Sequence, residues 1–234
     1  MSFFKLKNWK QTALNSDIEL YGSSELQSYV ENPHLNAPQN KVLLLIGGVH
    51  GDEPEGVVLA EHCLEWLKGQ NLQNWLLIPC LNVDGYKNNK RTNSQGVDLN
   101  RNFPSKNWVH SPNQDRYYSG SSPGSEKETQ AVIDLINAFQ PRLIIHCHSW
   151  KPCIVLSGPE DMKEAQYLSE SSGYEVVPDI GYPTPGSLSS YGWIDQKIPI
   201  ICTEEQEHSD LSQTWPRFAS GLKKVFQDNS DTDF

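Results

Sequence analysis

The apolar run Val42 to Ile46 passes directly into Gly47-Gly48-Val49-His50-Gly51-Asp52-Glu53-Pro54, and this junction limits the fold more than any other stretch. A short strand that is apolar on both faces belongs to a sheet covered by helices. The glycines that follow it, and a proline at an early helical position, mark a turn from strand into helix. Further apolar runs at Trp75 to Leu81, Leu143 to His148, Ile154 to Leu156 and Ile198 to Thr203 also read as strands. Helical spacing lies between them. Pro54 to Leu67 carries Val57, Val58, Ala60, Leu64 and Leu67, and Ser125-Glu126-Lys127-Glu128 reads as a capping box that opens a helix through Val132, Leu135, Ile136 and Phe139. The alternation predicts an α/β fold: a mainly parallel mixed β-sheet with helices on both faces. His62 and Trp66 fall within the first long helix, where packing is the expected role.

Open sheets of this kind collect ligands at the carboxyl ends of their strands. His50 and Glu53 stand at one such end, three residues apart. His146-Cys147-His148-Ser149 stands at another, closing the run Leu143-Ile144-Ile145. A catalytic zinc takes three protein ligands, typically His and carboxylate, and leaves a position to water, whereas closed structural sites lean on cysteine. Residues two apart on a strand share a face, so His146 and His148 compete for the third place. His148 is favoured as the nearer to the strand's end. His146 is then a supporting or core imidazole.

A chain of 234 residues suits one α/β domain spanning 1–234, with the polar tail 228–234 expected to be poorly ordered. A net charge of −10 and a pI near 5.1 argue against nucleic acid or an anionic membrane as partner, since each needs a basic footprint. Lys87, Lys90, Arg91 and Arg101 nevertheless cluster locally, and such a field can focus an anionic substrate. The first residues, Met1 to Trp9, lack the apolar core and cleavage site of a secretory signal, and no run reaches membrane-spanning length, so a cytoplasmic location is expected. A homodimer is left open. Five cysteines, Cys63, Cys80, Cys147, Cys153 and Cys202, read as buried reduced thiols, none with metal spacing in sequence.

The segment from Asn82 to Gly124 is rich in Asn, Ser, Gly and Pro with little apolar periodicity, and a loop of that length inside a compact domain usually binds or catalyses. It includes Arg91 and the run Gly96-Val97-Asp98-Leu99-Asn100-Arg101-Asn102-Phe103-Pro104. A second Gly/Pro segment, Asp179 to Ser187, reads as a loop able to cover a cleft.

Taken in order, His50-Gly51-Asp52-Glu53, Asn82-Val83-Asp84-Gly85, Gly96 to Pro104, Gly124-Ser125-Glu126 and His148-Ser149 resemble the zinc carboxypeptidases of the M14 type, over roughly residues 42 to 206. Within that family the chain resembles the cytoplasmic murein tripeptide amidase group, which Ile180 to Leu188 also resembles. The resemblance implies one zinc per chain on His50, Glu53 and His148. It implies that Arg91 polarises the scissile carbonyl, that Asn100 and Arg101 grip the terminal carboxylate, and that Tyr182 closes over the substrate. It further implies cleavage of the γ-D-Glu to meso-diaminopimelate amide of murein tripeptide, a small acidic peptide, during cell-wall recycling.

Amide hydrolysis also needs a carboxylate that accepts a proton and returns it to the leaving amine. Strand Ile198 to Glu205 ends in two, on opposite faces. Glu204 is chosen, and a one-residue slip promotes Glu205. Glu126 is expected only to serve its helix. Two rival readings are an aspartoacylase or desuccinylase type of N-acyl amino acid hydrolase, and a catalytically silent protein that binds cell-wall peptides.

Overall fold

The computed structural model describes residues 2–112 and 115–230. An eight-stranded sheet forms its centre, built from β1 (Phe3–Gln11), β2 (Asp17–Ser23), β3 (Leu43–Ile46), β4 (Trp75–Ile78), β5 (Leu143–Trp150), β6 (Cys153–Ser157), β7 (Val176–Val177) and β8 (Ile200–Gln206) in the order β1-β2-β4-β3-β5-β8-β6-β7. The central run β4-β3-β5-β8 is parallel, as the alternation predicts. Antiparallel pairs lie outside it: β1 with β2, β2 with β4, and β6 with β8.

Side chains alternate along β3, and each face meets its own helices. Leu44 and Ile46 pack with Leu76, Ile78, Ile144 and Ile200 under α4 (Lys127–Phe139), which contributes Val132, Leu135, Ile136 and Phe139. Leu43 and Leu45 pack on the other face with Leu77, Leu143, Ile145 and Ile201. That face is covered by α2 (Pro54–Lys68), α5 (Lys163–Ser172) and α6 (Leu211–Ser230), through residues including Leu59, Cys63, Leu168, Phe218 and Leu222. Burial of each large aliphatic side chain is worth about 1.5–3 kcal/mol relative to exposure. Two short helices, α1 (Gln27–Glu31) and α3 (Val83–Lys87), complete the set.

Four local expectations change. The hairpin β1–β2 lies in a segment that gave no strand signal, because Lys5, Lys7 and Lys10 interleave with Phe4 and Leu6 on an edge that is only half buried. The capping box does not form. Glu126 itself holds the N-cap position of α4, with extended dihedrals and no capping hydrogen bond from its side chain, which instead accepts from Asn93 Nδ2 at 2.7 Å and from Ser125 Oγ at 2.6 Å. Residues 228–230 are the last turn of α6 rather than a loose tail, while 231–234 lie outside the described residues. The long segment after Asn82 is not featureless either: it holds α3 and a 3-10 turn, Leu99–Arg101. All five cysteines are free.

Candidate active site

Strands β5 and β8 run past the end of β3, and their register carries the chemistry. Ile46 of β3 pairs with His146, His146 with Cys202, and His148 with Glu204. The face that is apolar at Ile144 and Ile200 therefore turns polar one step further along, at His146, His148, Cys202 and Glu204. Beyond β3 the chain turns through Gly47 and Gly48, and His50 arrives beside His148. Gly51 lets the turn that carries His50 pack against the backbone of α3, since a Cβ there would lie 2.0 Å from the Gly85 carbonyl carbon. Glu53 occupies the N-cap position of α2, immediately before Pro54.

His50, Glu53 and His148 converge. Glu53 Oε1 lies 2.7 Å from His50 Nδ1, Glu53 Oε2 lies 2.8 Å from His148 Nδ1, and the two Nδ1 atoms are 3.0 Å apart. All three residues are buried. The donor set is two imidazole nitrogens and a carboxylate, which fits a catalytic zinc with three protein ligands. Burial alone would raise the Glu53 carboxyl, but the two imidazoles hold it well below the usual carboxylate range. Burial lowers both histidines; at His50 the carboxylates of Glu53 and Asp98 outweigh burial and the charge of Arg91, and at His148 Glu53 does not outweigh burial.

A further layer orients the triad. His50 Nε2 is 3.0 Å from Asp98 Oδ1, and Arg91 donates from Nε to Asp98 Oδ2 at 2.9 Å and from Nη1 to Glu53 Oε1 at 3.0 Å. Asp98 stays ionised: burial opposes this, but His50 and Arg91 hold its carboxyl far down. An ionised carboxylate accepts only, so His50 donates from Nε2 to Asp98, and that contact fixes the plane of its ring. Asp98 and Glu53 together tie Arg91 to the triad. His146 Nδ1 lies 2.8 Å from His148 Nε2, and His146 Nε2 lies 3.3 Å from Ser189 Oγ. Cys202 joins His146 and His148 in a second group whose ligand atoms all lie within 4.8 Å. No sequence spacing pointed to that group, because β5 and β8 bring the residues together only in three dimensions.

The two carboxylates that close β8 part company. Glu205 faces away, buried and bound to Arg217 and Tyr174. Glu204 faces the cleft that holds His50, Glu53, His148 and Arg91. Burial and then the charge of Glu53 push its carboxyl up to about 8. Asn100 gives its side-chain carbonyl to the Leu188 N–H at 2.9 Å, which turns its amide nitrogen toward the cleft. Arg101 and Tyr182 line the same cleft. Tyr182 is 37 % exposed with its ring 5.4 Å from that of Trp150, so it stands at the mouth. Lys87 leaves the basic cluster and donates to Ser16. Tyr117, which no pattern in the sequence marks, lies under both guanidiniums, 5.3 Å from the carbon of Arg91 and 5.3 Å from that of Arg101. Behind Asn100 and Glu204 a cavity of about 660 Å³ opens between β6, the loop at Asp179 and the π-helical turn Ser190–Asp195.

A buried His/Glu/His triad at the strand ends of an α/β sheet, flanked by arginines and a cleft carboxylate, defines a metal-dependent hydrolase of the carboxypeptidase kind. The chain belongs to the zinc carboxypeptidase family, peptidase M14, whose model matches residues 28–226. It is 35 % identical over 185 residues to a murein peptide amidase A of Escherichia coli strain K12, covering 72 % of this chain and 75 % of that one. A murein peptide amidase A of Vibrio campbellii is 28 % identical over 196 residues, covering 79 % and 77 %. The fold is similar to the crystal structure of a murein-tripeptide amidase from Escherichia coli O157, with a TM-score of 0.77 at 24 % identity over 98 % of this chain and 93 % of the other. The protein is a peptide-bond hydrolase of the zinc amidase and carboxypeptidase class. Among the described residues no helix is long and apolar enough to cross a membrane.

Proposed function

We propose that this chain is a single-domain zinc amidase that hydrolyses the γ-D-Glu to meso-diaminopimelate amide of murein tripeptide, in the recycling of cell-wall peptides. The observation that carries the reading is the meeting of His50 Nδ1, His148 Nδ1 and both Glu53 oxygens within 3.0 Å, in a cleft that also holds Glu204, Arg91 and Arg101. The murein peptide amidases among its relatives support the choice of substrate. Zinc held by His50, Glu53 and His148, one per chain, supplies a Lewis acid and lowers the pKa of a water to about 7.

The chain's own groups do the rest. Asn100 and Arg101 take the free carboxylate of the departing residue, Arg101 as a planar two-pronged donor. That anchors the scissile carbonyl beside Arg91, whose guanidinium is fixed by Glu53 and Asp98 and whose charge stabilises negative charge developing on the carbonyl oxygen. Glu204 takes the proton from the attacking water and hands it to the amine nitrogen as the C–N bond breaks. The products are a free γ-carboxyl and the departing amino acid. Tyr182, hinged among Gly181, Pro183 and Pro185, covers the bound substrate. His148 Nε2–H donates to His146 Nδ1, and His146 Nε2–H to Ser189, so each imidazole has one defined tautomer.

Mass spectrometry of products from a small panel tests the reading. Murein tripeptide should give L-Ala-γ-D-Glu and free diaminopimelate. Turnover of N-acyl amino acids alone would move the protein to the acylase class, and tight tripeptide binding without turnover would make it a binding protein. A cytoplasmic setting is part of the proposal, and activity recovered in the cytosolic rather than the osmotic-shock fraction would support it.

A further inference from the structure

Two spaces adjoin at Asn100, Tyr182 and Glu204, which line both, and only one of them holds arginines. The cavity of about 660 Å³ behind Asn100 has Glu160, Asp179 and Glu204 in its lining. The smaller cleft over the triad, about 280 Å³, holds three arginines, Arg91, Arg101 and Arg116, beside the carboxylates of Glu53, Glu204 and Glu207, whereas the larger cavity holds no arginine. Arg91 is committed to Glu53 and Asp98. Arg101 stands with Asn100, where the departing residue's carboxylate is read. Arg116 is different. Its side chain is 58 % exposed, and its Nη2 lies 3.5 Å from Asp52 Oδ2, a loose ion pair. Asp52 sits between His50 and Glu53 on the ligand loop, so the pair tethers Arg116 beside the metal-binding turn, where the acyl half of a substrate must lie once the departing half fills the cavity behind Asn100. Tyr117, the next residue, is clamped against the guanidiniums of Arg91 and Arg101, which fixes the backbone from which Arg116 reaches.

We propose that Arg116 binds a free carboxylate on the acyl side of the scissile amide, so that the enzyme selects peptides acidic on both sides of the bond. This rests on the amidase reading above. A free carboxylate a few bonds from the scissile carbonyl is what a γ-linked glutamyl residue presents and what a neutral α-linked residue lacks. A guanidinium held by a weak ion pair is poised to exchange that partner for a better-aligned, bidentate one. Against the chain's net charge of −10, three arginines in one cleft favour the approach of a doubly acidic ligand.

The test compares two tripeptides on the zinc-loaded enzyme: one with the free α-carboxylate on its γ-linked D-Glu, the other with that group as an amide. Wild type should favour the acid by about tenfold in kcat/KM, the worth of one charge-assisted hydrogen bond. Arg116→Ala should bring the ratio close to one, through KM on the acid substrate. Arg116→Lys keeps the charge but not the planar fork and should retain part of the preference, which separates loss of the positive charge from collapse of the loop. Equal turnover of acid and amide by wild type, or an unaltered ratio in Arg116→Ala, overturns the proposal and leaves the amidase reading standing. Failure of wild type to cut either peptide, with turnover of N-acyl amino acids, overturns both.

Discussion

Glu204 and Glu205 are adjacent in sequence, and the pleat of β8 sends one into the cleft and the other against Arg217 and Tyr174, so their substitutions should fail in different ways. Glu204→Gln should cut kcat by about 10²–10⁴-fold, the usual worth of a proton-transferring group, with little change in KM. Glu205→Gln should act mainly on stability, by about 1–3 kcal/mol, because it weakens the anchor of a half-buried guanidinium. Denaturant midpoints and steady-state kinetics on the two variants separate these outcomes, and the reverse pattern would promote Glu205. The raised Glu204 carboxyl also gives a pH signature in the metal-free protein. Its folded pKa of about 8 exceeds the ordinary 4.5, so the folded state binds the proton more tightly, and stability drains away as pH climbs from the lower value to the higher. Metal-free Glu204→Gln escapes that loss. Its melting temperature should rise relative to wild type across the same interval and level off above it, and a flat difference would contradict the burial argument. His146 is a positioning residue for His148, so His146→Ala should weaken zinc binding by about 10–100-fold in chelator competition.

Helix α2 seats Glu53, and its seat depends on one glycine. A Cβ at Gly56 would lie 2.3 Å from the Cys147 carbonyl oxygen of β5, so the first turn of α2 packs directly on the strand that carries His148. Gly56→Ala should force the helix off β5, costing about 1–3 kcal/mol as an overpacked contact does, and should also weaken zinc binding by displacing Glu53. Urea denaturation checks the first effect and zinc titration the second; an unchanged midpoint would mean the contact is softer than its geometry. The same elements explain what the sequence could reveal. Strands β3 and β4 are readable because each is buried on both faces and continuously apolar, β5 and β8 because each opens on such a run before it turns polar, and α2 and α4 because each has one apolar stripe. The β1–β2 hairpin escaped because an edge strand carries lysines at half-exposed positions. The capping motif misled because the Glu126 carboxylate is more strongly engaged by Asn93 and Ser125 than by the helix it precedes.

The molecule as a whole draws its ligands from chain segments almost a hundred residues apart, and sequence reasoning could place them only where a strand end announces its position. His50, Glu53 and His148 met that condition. Arg91, Asn100, Arg101 and Tyr182 came from resemblance to a family, and the structure gathers them around one cleft. Tyr117, Arg116, the Asp98–His50 contact and the approach of Cys202 to His146 were illegible, since they depend on how loops fold over the sheet and on the pairing of β5 with β8. Neither signal exists in one dimension. Activity depends on three side chains sharing one cation, and an equilibrium zinc titration against a competing chelator, run on wild type and on His148→Ala, tests this most directly. One tight equivalent in wild type, weakened by at least about 100-fold in the variant, is the predicted result; a variant that retains one equivalent at wild-type affinity would contradict the account.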